Sequence, residues 1–138
     1  MAYLLDTMAL SEIMKRDPNE NVITWFDHTN ESEQYISVFS IAEIQKGIFR
    51  LASSRRKKEL QSWFEQVITR YQGRILSFGV ETSIVWARLV AELERRGRVL
   101  PMIDSLIVAI ALEHDLTVVT KNIRDFADTN AGVLDIWN

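Results

Sequence analysis

Between positions 106 and 112 the chain reads Leu-Ile-Val-Ala-Ile-Ala-Leu, seven apolar side chains in a row. A helix that is apolar all round has no face to offer water and has to lie inside the molecule. Asp104 stands at its opening. After a short turn comes Leu-Thr-Val-Val-Thr at 116–120, a β-branched run of the kind that fills a central parallel strand. A buried helix feeding a buried strand needs covering layers on both faces of a sheet. With a carboxylate at the helix start, and Thr120, Asn122 and Asp125 past the strand end, the segment describes one wall of a polar cleft.

The rest of the chain supplies the remaining layers. Tyr3-Leu4-Leu5 is a brief apolar strand ending in Asp6-Thr7, a good helix cap. Leu10, Ile13 and Met14 follow at helical spacing until Asp17-Pro18, and Val22, Trp25 and Phe26 give one face of a second short helix. A strand is predicted over 35–39. The sequence Ser40-Ile-Ala-Glu43 then fits a reciprocal capping box, continued by Ile41, Ile44, Ile48 and Leu51. Leu60, Trp63, Phe64, Val67, Ile68 and Tyr71 form the cleanest helical stripe, stopped by Gly73. A strand over 74–78, a helix from near Glu81 to Gly97 and a last strand over 133–137 complete the pattern. Strands alternating with helices predict a single α/β domain over 1–138, a sandwich around a parallel sheet of about five strands.

Composition removes several kinds of chemistry. Without cysteine there are no disulfides, zinc–thiolate sites or thiol nucleophiles. The only histidines, His28 and His114, are far apart in sequence. No apolar run approaches membrane-spanning length, and a strand beginning at Tyr3 leaves no room for a signal peptide. The expected location is therefore cytoplasmic. A net charge of −3 argues against a protein that coats nucleic acid indiscriminately. The charge is uneven, however. Lys46, Arg50, Arg55, Arg56, Lys57 and Lys58 occur with no acid among them, and Arg95, Arg96 and Arg98 form a second cluster. These bases are either solvated helix ends that complement the helix dipole or a rim that guides phosphates.

Three carboxylates share one topological position. Asp6 follows the first strand, Glu43 the second, and Asp104 opens the buried helix, with Asn122 and Asp125 after the fourth strand. In a parallel sheet these ends lie along one edge, where ligands bind. Each acid has a plain alternative as a helix cap or turn residue, but capping does not explain their placement at matching strand ends. Helix amino ends favour negative charge and are expected to keep these acids ionised. Ionised oxygens converging without basic partners call for a cation, and oxygen ligands without sulfur or imidazole select Mg²⁺ or Mn²⁺.

The segments LLDTMALSEI, YISVFSIAEIQKGI, PMIDSLIVAIA and TVVTKNIRDF, in that order, resemble the successive motifs of PIN-domain ribonucleases, specifically the VapC/FitB toxins of toxin–antitoxin pairs. The resemblance runs from Tyr3 to Trp137. It implies a PIN-like three-layer sandwich, a homodimer, and Mg²⁺- or Mn²⁺-dependent cleavage of single-stranded or looped RNA by metal-activated water. It also implies inhibition by a VapB-type antitoxin whose tail crosses the active-site groove. Carried over by position, Asp6, Glu43 and Asp104 match the first three acids, with Asp6 and Asp104 as direct metal ligands. The fourth departs: many relatives have Asp where this chain has Asn122, and Asp125 is the expected substitute. Thr7 and Thr120 would hold carboxylates through their hydroxyls, and Asn122 would donate from behind the ligands. Met8 occupies a position often polar in relatives. Lys46, Arg50, Arg55 and Arg56 are the expected RNA-guiding bases.

Two rivals stand beside this reading. A phosphoacceptor receiver module would also place acids after strands, with Thr120 and Lys121 in familiar order. It requires an acceptor Asp on a middle strand, and the run ending Ser77-Phe78-Gly79 has none. The second rival is a catalytically degenerate PIN fold that only binds RNA or protein.

Overall fold

Adjacent leucines on the first strand point to opposite sides of the sheet, and that alternation organises the molecule. The computed structural model describes Met1–Asn138. Five parallel strands, β1 (Tyr3–Leu5), β2 (Gln34–Ser37), β3 (Ile75–Leu76), β4 (Thr117–Val119) and β5 (Gly132–Leu134), are arranged in the order β3-β2-β1-β4-β5. Leu5 and Val119 face one core with Leu10, Ile44, Phe64 and Trp137; Leu4 and Val118 face another with Leu93, Ile107, Ile110 and Phe126. The first core lies under α1 (Thr7–Glu12), α2 (Glu20–His28), α3 (Val38–Arg50) and α4 (Arg55–Arg70). The second lies under α5 (Val80–Arg95), α6 (Met102–His114) and the short α7 (Ile123–Phe126). This is the three-layer α/β sandwich with the predicted five-stranded parallel sheet.

The 106–112 run behaves as its composition demands: residues 107–111 of α6 are buried almost completely. Several boundaries differ from those expected. The second strand stops at Ser37, and Val38 and Phe39 already belong to α3. The reason is local. Ser37 Oγ accepts the Ser40 N–H at 3.2 Å and caps the helix, so the predicted Ser40–Glu43 capping box does not form. The strand expected over 74–78 shortens to Ile75–Leu76, because it lies at the sheet edge and pairs only with β2. The last strand covers Gly132–Leu134, and Ile136 and Trp137 pack beyond it as core residues.

Trp137 also carries a polar tie. Its indole N–H donates to Glu12 Oε1 at 3.1 Å, and its carbonyl accepts from Asn21 at 2.9 Å, fixing the chain end to the turn between α1 and α2. No helix is long and apolar enough to cross a membrane.

Gly73 reverses the chain between α4 and β3 with φ of +84°, and a Cβ there would meet nothing within 4 Å. The requirement is therefore one of backbone alone. Gly73→Ala is expected to cost about 1 kcal/mol through the left-handed conformation. A urea unfolding midpoint indistinguishable from wild type would remove this account.

Candidate active site

The strand order makes one crevice special. From β1 the chain moves outward to β2 and β3, then returns to place β4 on the other side of β1, so the switch point lies between β1 and β4. Leu5 is in register with Val119, and the Asp6 N–H donates to the Val119 carbonyl at 3.1 Å. That pairing sets Asp6 beside Thr120. Both are buried, at 6% and 0% exposure.

Asp6 is the cap of α1, accepting the Ala9 N–H at 2.8 Å, and the Thr120 side chain also hydrogen-bonds its carboxyl group. Thr120 Oγ1 already accepts the Asn122 N–H at 3.0 Å, which leaves the hydroxyl hydrogen for Asp6. These bonds favour the charged form, yet burial outweighs them. The Asp6 pKa is pushed up to about 6, with the charge of Asp104 adding to the effect. The helix start does not hold the Asp6 pKa at its ordinary value, because desolvation of the buried carboxylate exceeds a helix-end contribution of about 1 kcal/mol; at neutral pH the group is still mostly ionised, as expected.

Glu43 reaches the cleft from the second turn of α3. Thr7 Oγ1 donates to Glu43 Oε1 at 2.5 Å and lies 3.1 Å from Ser40 Oγ, tying α1 to α3. Buried Ser40, one turn before Glu43, is a supporting residue that the sequence reading assigned only to a cap. Its position three residues before the acid was the available signal. Asp104 lies in the first turn of α6, half-buried and without a hydrogen bond to protein. Burial raises its pKa, and the charges of Asp125 and Glu43 raise it further.

The four acids are therefore electrostatic neighbours, and none has a Lys or Arg within 4.0 Å. They still stand apart. No three Asp, Glu or His side chains close on a point where one metal ion could be held. The donor chemistry nevertheless suits a hard divalent cation, since carboxylate and hydroxyl oxygens are the groups at hand. His28 lies against the Thr24 carbonyl and His114 against Glu113, so imidazole competes for neither.

Asp125 is on α7 and exposed, beside a recess of about 400 Å³ lined also by Lys121, Asn122, Arg124 and Asp135. The Asn122 amide donates to Met8 Sδ at 3.7 Å and to no carboxylate. Its expected place behind the ligands is thus taken up by a thioether contact.

The basic clusters divide. Arg56 donates to the Met14 carbonyl at 2.8 Å and lies near Glu59, so it braces the fold and is not the free guiding base expected. Lys57 closes the end of α3 on the Phe49 and Leu51 carbonyls. Arg96 and Arg98 engage Glu92 and Asp128. Lys46, Arg50 and Arg55 are exposed and have no carboxylate within reach.

The PIN domain family model matches residues 3–132. The chain belongs to the PIN domain family. Among PIN relatives it is 30% identical over 136 residues to Toxin FitB of Neisseria gonorrhoeae, covering 98% of each chain. It is 28% identical to VapC ribonuclease Y4jK of Sinorhizobium fredii, over 97% of this chain and 96% of that one. The crystal structure of FitAcB from Neisseria gonorrhoeae superposes with a TM-score of 0.94 at 30% identity, covering 99% of both chains. The structure of VapBC2 from Rickettsia felis bound to a DNA fragment from their promoter gives 0.82 at 25% identity, covering 100% of both.

Proposed function

We propose that this PIN domain, acting as one unit over 1–138, is a ribonuclease toxin of the VapC type, held inactive by a cognate VapB-type antitoxin. The observation that supports the reading is that Asp6 feels the charge of Asp104, and Asp104 those of Asp125 and Glu43, along the edge that holds the switch point, with no Lys or Arg within 4.0 Å of the four. Its substrate is single-stranded or looped RNA, whose unstacked strand fits a narrow cleft better than a duplex does. Cutting leaves a 5′-phosphate and a 3′-hydroxyl. The working form is a homodimer in the cytoplasm.

Asp6 and Asp104 would hold a Mg²⁺ or Mn²⁺ ion, which would supply charge neutralisation at the phosphoryl oxygens and lower the pKa of a bound water. Thr120 fixes the Asp6 carboxyl group. Glu43, anchored through Oε1 by Thr7, has Oε2 available to accept a proton from the attacking water. Asp125 adds negative charge beside Asp104, favouring cation uptake. The antitoxin's tail would lie across the groove that holds Asp6 and Asp104.

The test is incubation of a single-stranded RNA with the purified chain in Mg²⁺, in Mn²⁺ and in excess EDTA, with the new ends mapped. Cleavage with either ion and none in EDTA is expected; equal cleavage in EDTA would sink the metal-dependent reading. A second reading, a binding module without catalysis, is favoured by the open spacing of the acids and by Asn122 at the fourth position. RNA retained but uncut in Mn²⁺, with no heat of Mn²⁺ binding in calorimetry, would establish it.

A further inference from the structure

Phe49 is 70% exposed on α3, the most exposed aromatic side chain among the large exposed hydrophobic residues. Trp25, Phe26, Phe39 and Phe78 each meet a partner ring, and Phe49 meets none. Single exposed apolar residues are ordinary. The surroundings of this one are not. Lys46 and Arg50, three before and one after it, are exposed and free of any carboxylate within 4.0 Å, and Leu51 is also 41% exposed.

The helix connects this patch to the acids. Counting from Glu43, Lys46, Gly47 and Arg50 fall at i+3, i+4 and i+7, the spacing of one helical face. At 1.5 Å and 100° per residue, Phe49 lies about 9 Å along the axis from Glu43 and about 120° around it, on the flank that Lys46 borders. Gly47 interrupts that face where a Cβ would meet no atom within 4 Å. Packing within the chain gives no reason for glycine there, and a mid-helix glycine costs about 1 kcal/mol relative to alanine. It leaves the backbone bare between Lys46 and Arg50.

We propose that Phe49 is a stacking platform for one base of a single-stranded RNA, with Lys46 and Arg50 holding the adjoining phosphates. An aromatic face among unpaired cations is the arrangement that recognises a strand without reading its sequence. The inference rests on the ribonuclease reading, and it places the substrate along α3, setting the distance between a bound base and the scissile phosphate.

The experiment measures binding without cleavage: anisotropy of a fluorescein-labelled 12-nucleotide oligoadenylate with the full chain in EDTA. Phe49→Ala is expected to weaken binding roughly tenfold with an unchanged salt slope, and Phe49→Trp to restore it. Arg50→Ala is expected to lower the salt slope by about 0.7. Sedimentation of each variant is run alongside. Wild-type affinity in Phe49→Ala overturns the proposal, as does a loss of binding that follows a change in oligomeric state, which would make the patch a protein contact. Neither result touches the metal-dependent cleavage assay, so the two readings fail separately.

Discussion

Asp104→Asn is expected to lower RNA cleavage by at least about 10²-fold while the protein stays folded. The side chain makes no hydrogen bond to protein, so asparagine loses no partner. Its service to α6 is a first-turn charge worth about 0.3–1 kcal/mol, and removing it also relieves repulsion from Asp125 and Glu43. Stability without metal should therefore hardly change. What is lost is one of the two carboxylates proposed to bind the ion. The same variant should lose the thermal shift that Mn²⁺ gives wild type, which at a hundredfold excess over Kd amounts to about 2.7 kcal/mol. Paired melting curves and cleavage rates check both halves. Wild-type cleavage by the asparagine variant would end the assignment of Asp104.

The second large effect concerns Asp6 and acidity. Its folded pKa of about 6 lies above its ordinary value of 3.8, so the native state binds the proton more tightly than the unfolded chain does. The stabilisation from protonated Asp6 is full below the unfolded pKa and is lost as pH rises towards 6. Two units correspond to about 3 kcal/mol as an upper bound. Metal-free protein should accordingly be more stable near pH 4.5 than near pH 7.5 through this group. Asp104, also shifted upward, acts in the same direction. Asp6→Asn should flatten much of the slope and raise neutral-pH stability, because the amide can keep the Ala9 bond without a buried charge. Urea titrations in EDTA at the two pH values decide it: parallel pH dependences for wild type and variant would show that Asp6 is not responsible. Added Mn²⁺ should also flatten the wild-type slope, by favouring the ionised carboxylate.

Some of this was readable from residue order and some was not. Positions 106–112 admit no solvent-facing helix, and Val118-Val119 suit only a covered strand, so the layers follow from local chemistry. The acids at Asp6, Glu43 and Asp104 were legible for the same reason, since strand ends and helix starts share an edge. The start of α3 was not. Serines at 37 and 40 are both competent caps, and the choice between them depends on where pairing with β1 and β3 ends. The raised pKa of Asp6 was equally hidden, because burial beneath distant segments, more than helix position, dominates it. Arg56 could not be separated from Arg55 by sequence. Only the packing of α4 near Met14 tells the brace from the free base.

The central place of β1 has a consequence for folding. One of the two strands that flank Tyr3–Leu5, Thr117–Val119, lies more than a hundred residues further along the chain, so that pairing closes a long loop. Until that partner is in place, Asp6 has no Thr120 beside it. The acid edge of the sheet is therefore completed only when segments more than a hundred residues apart have come together.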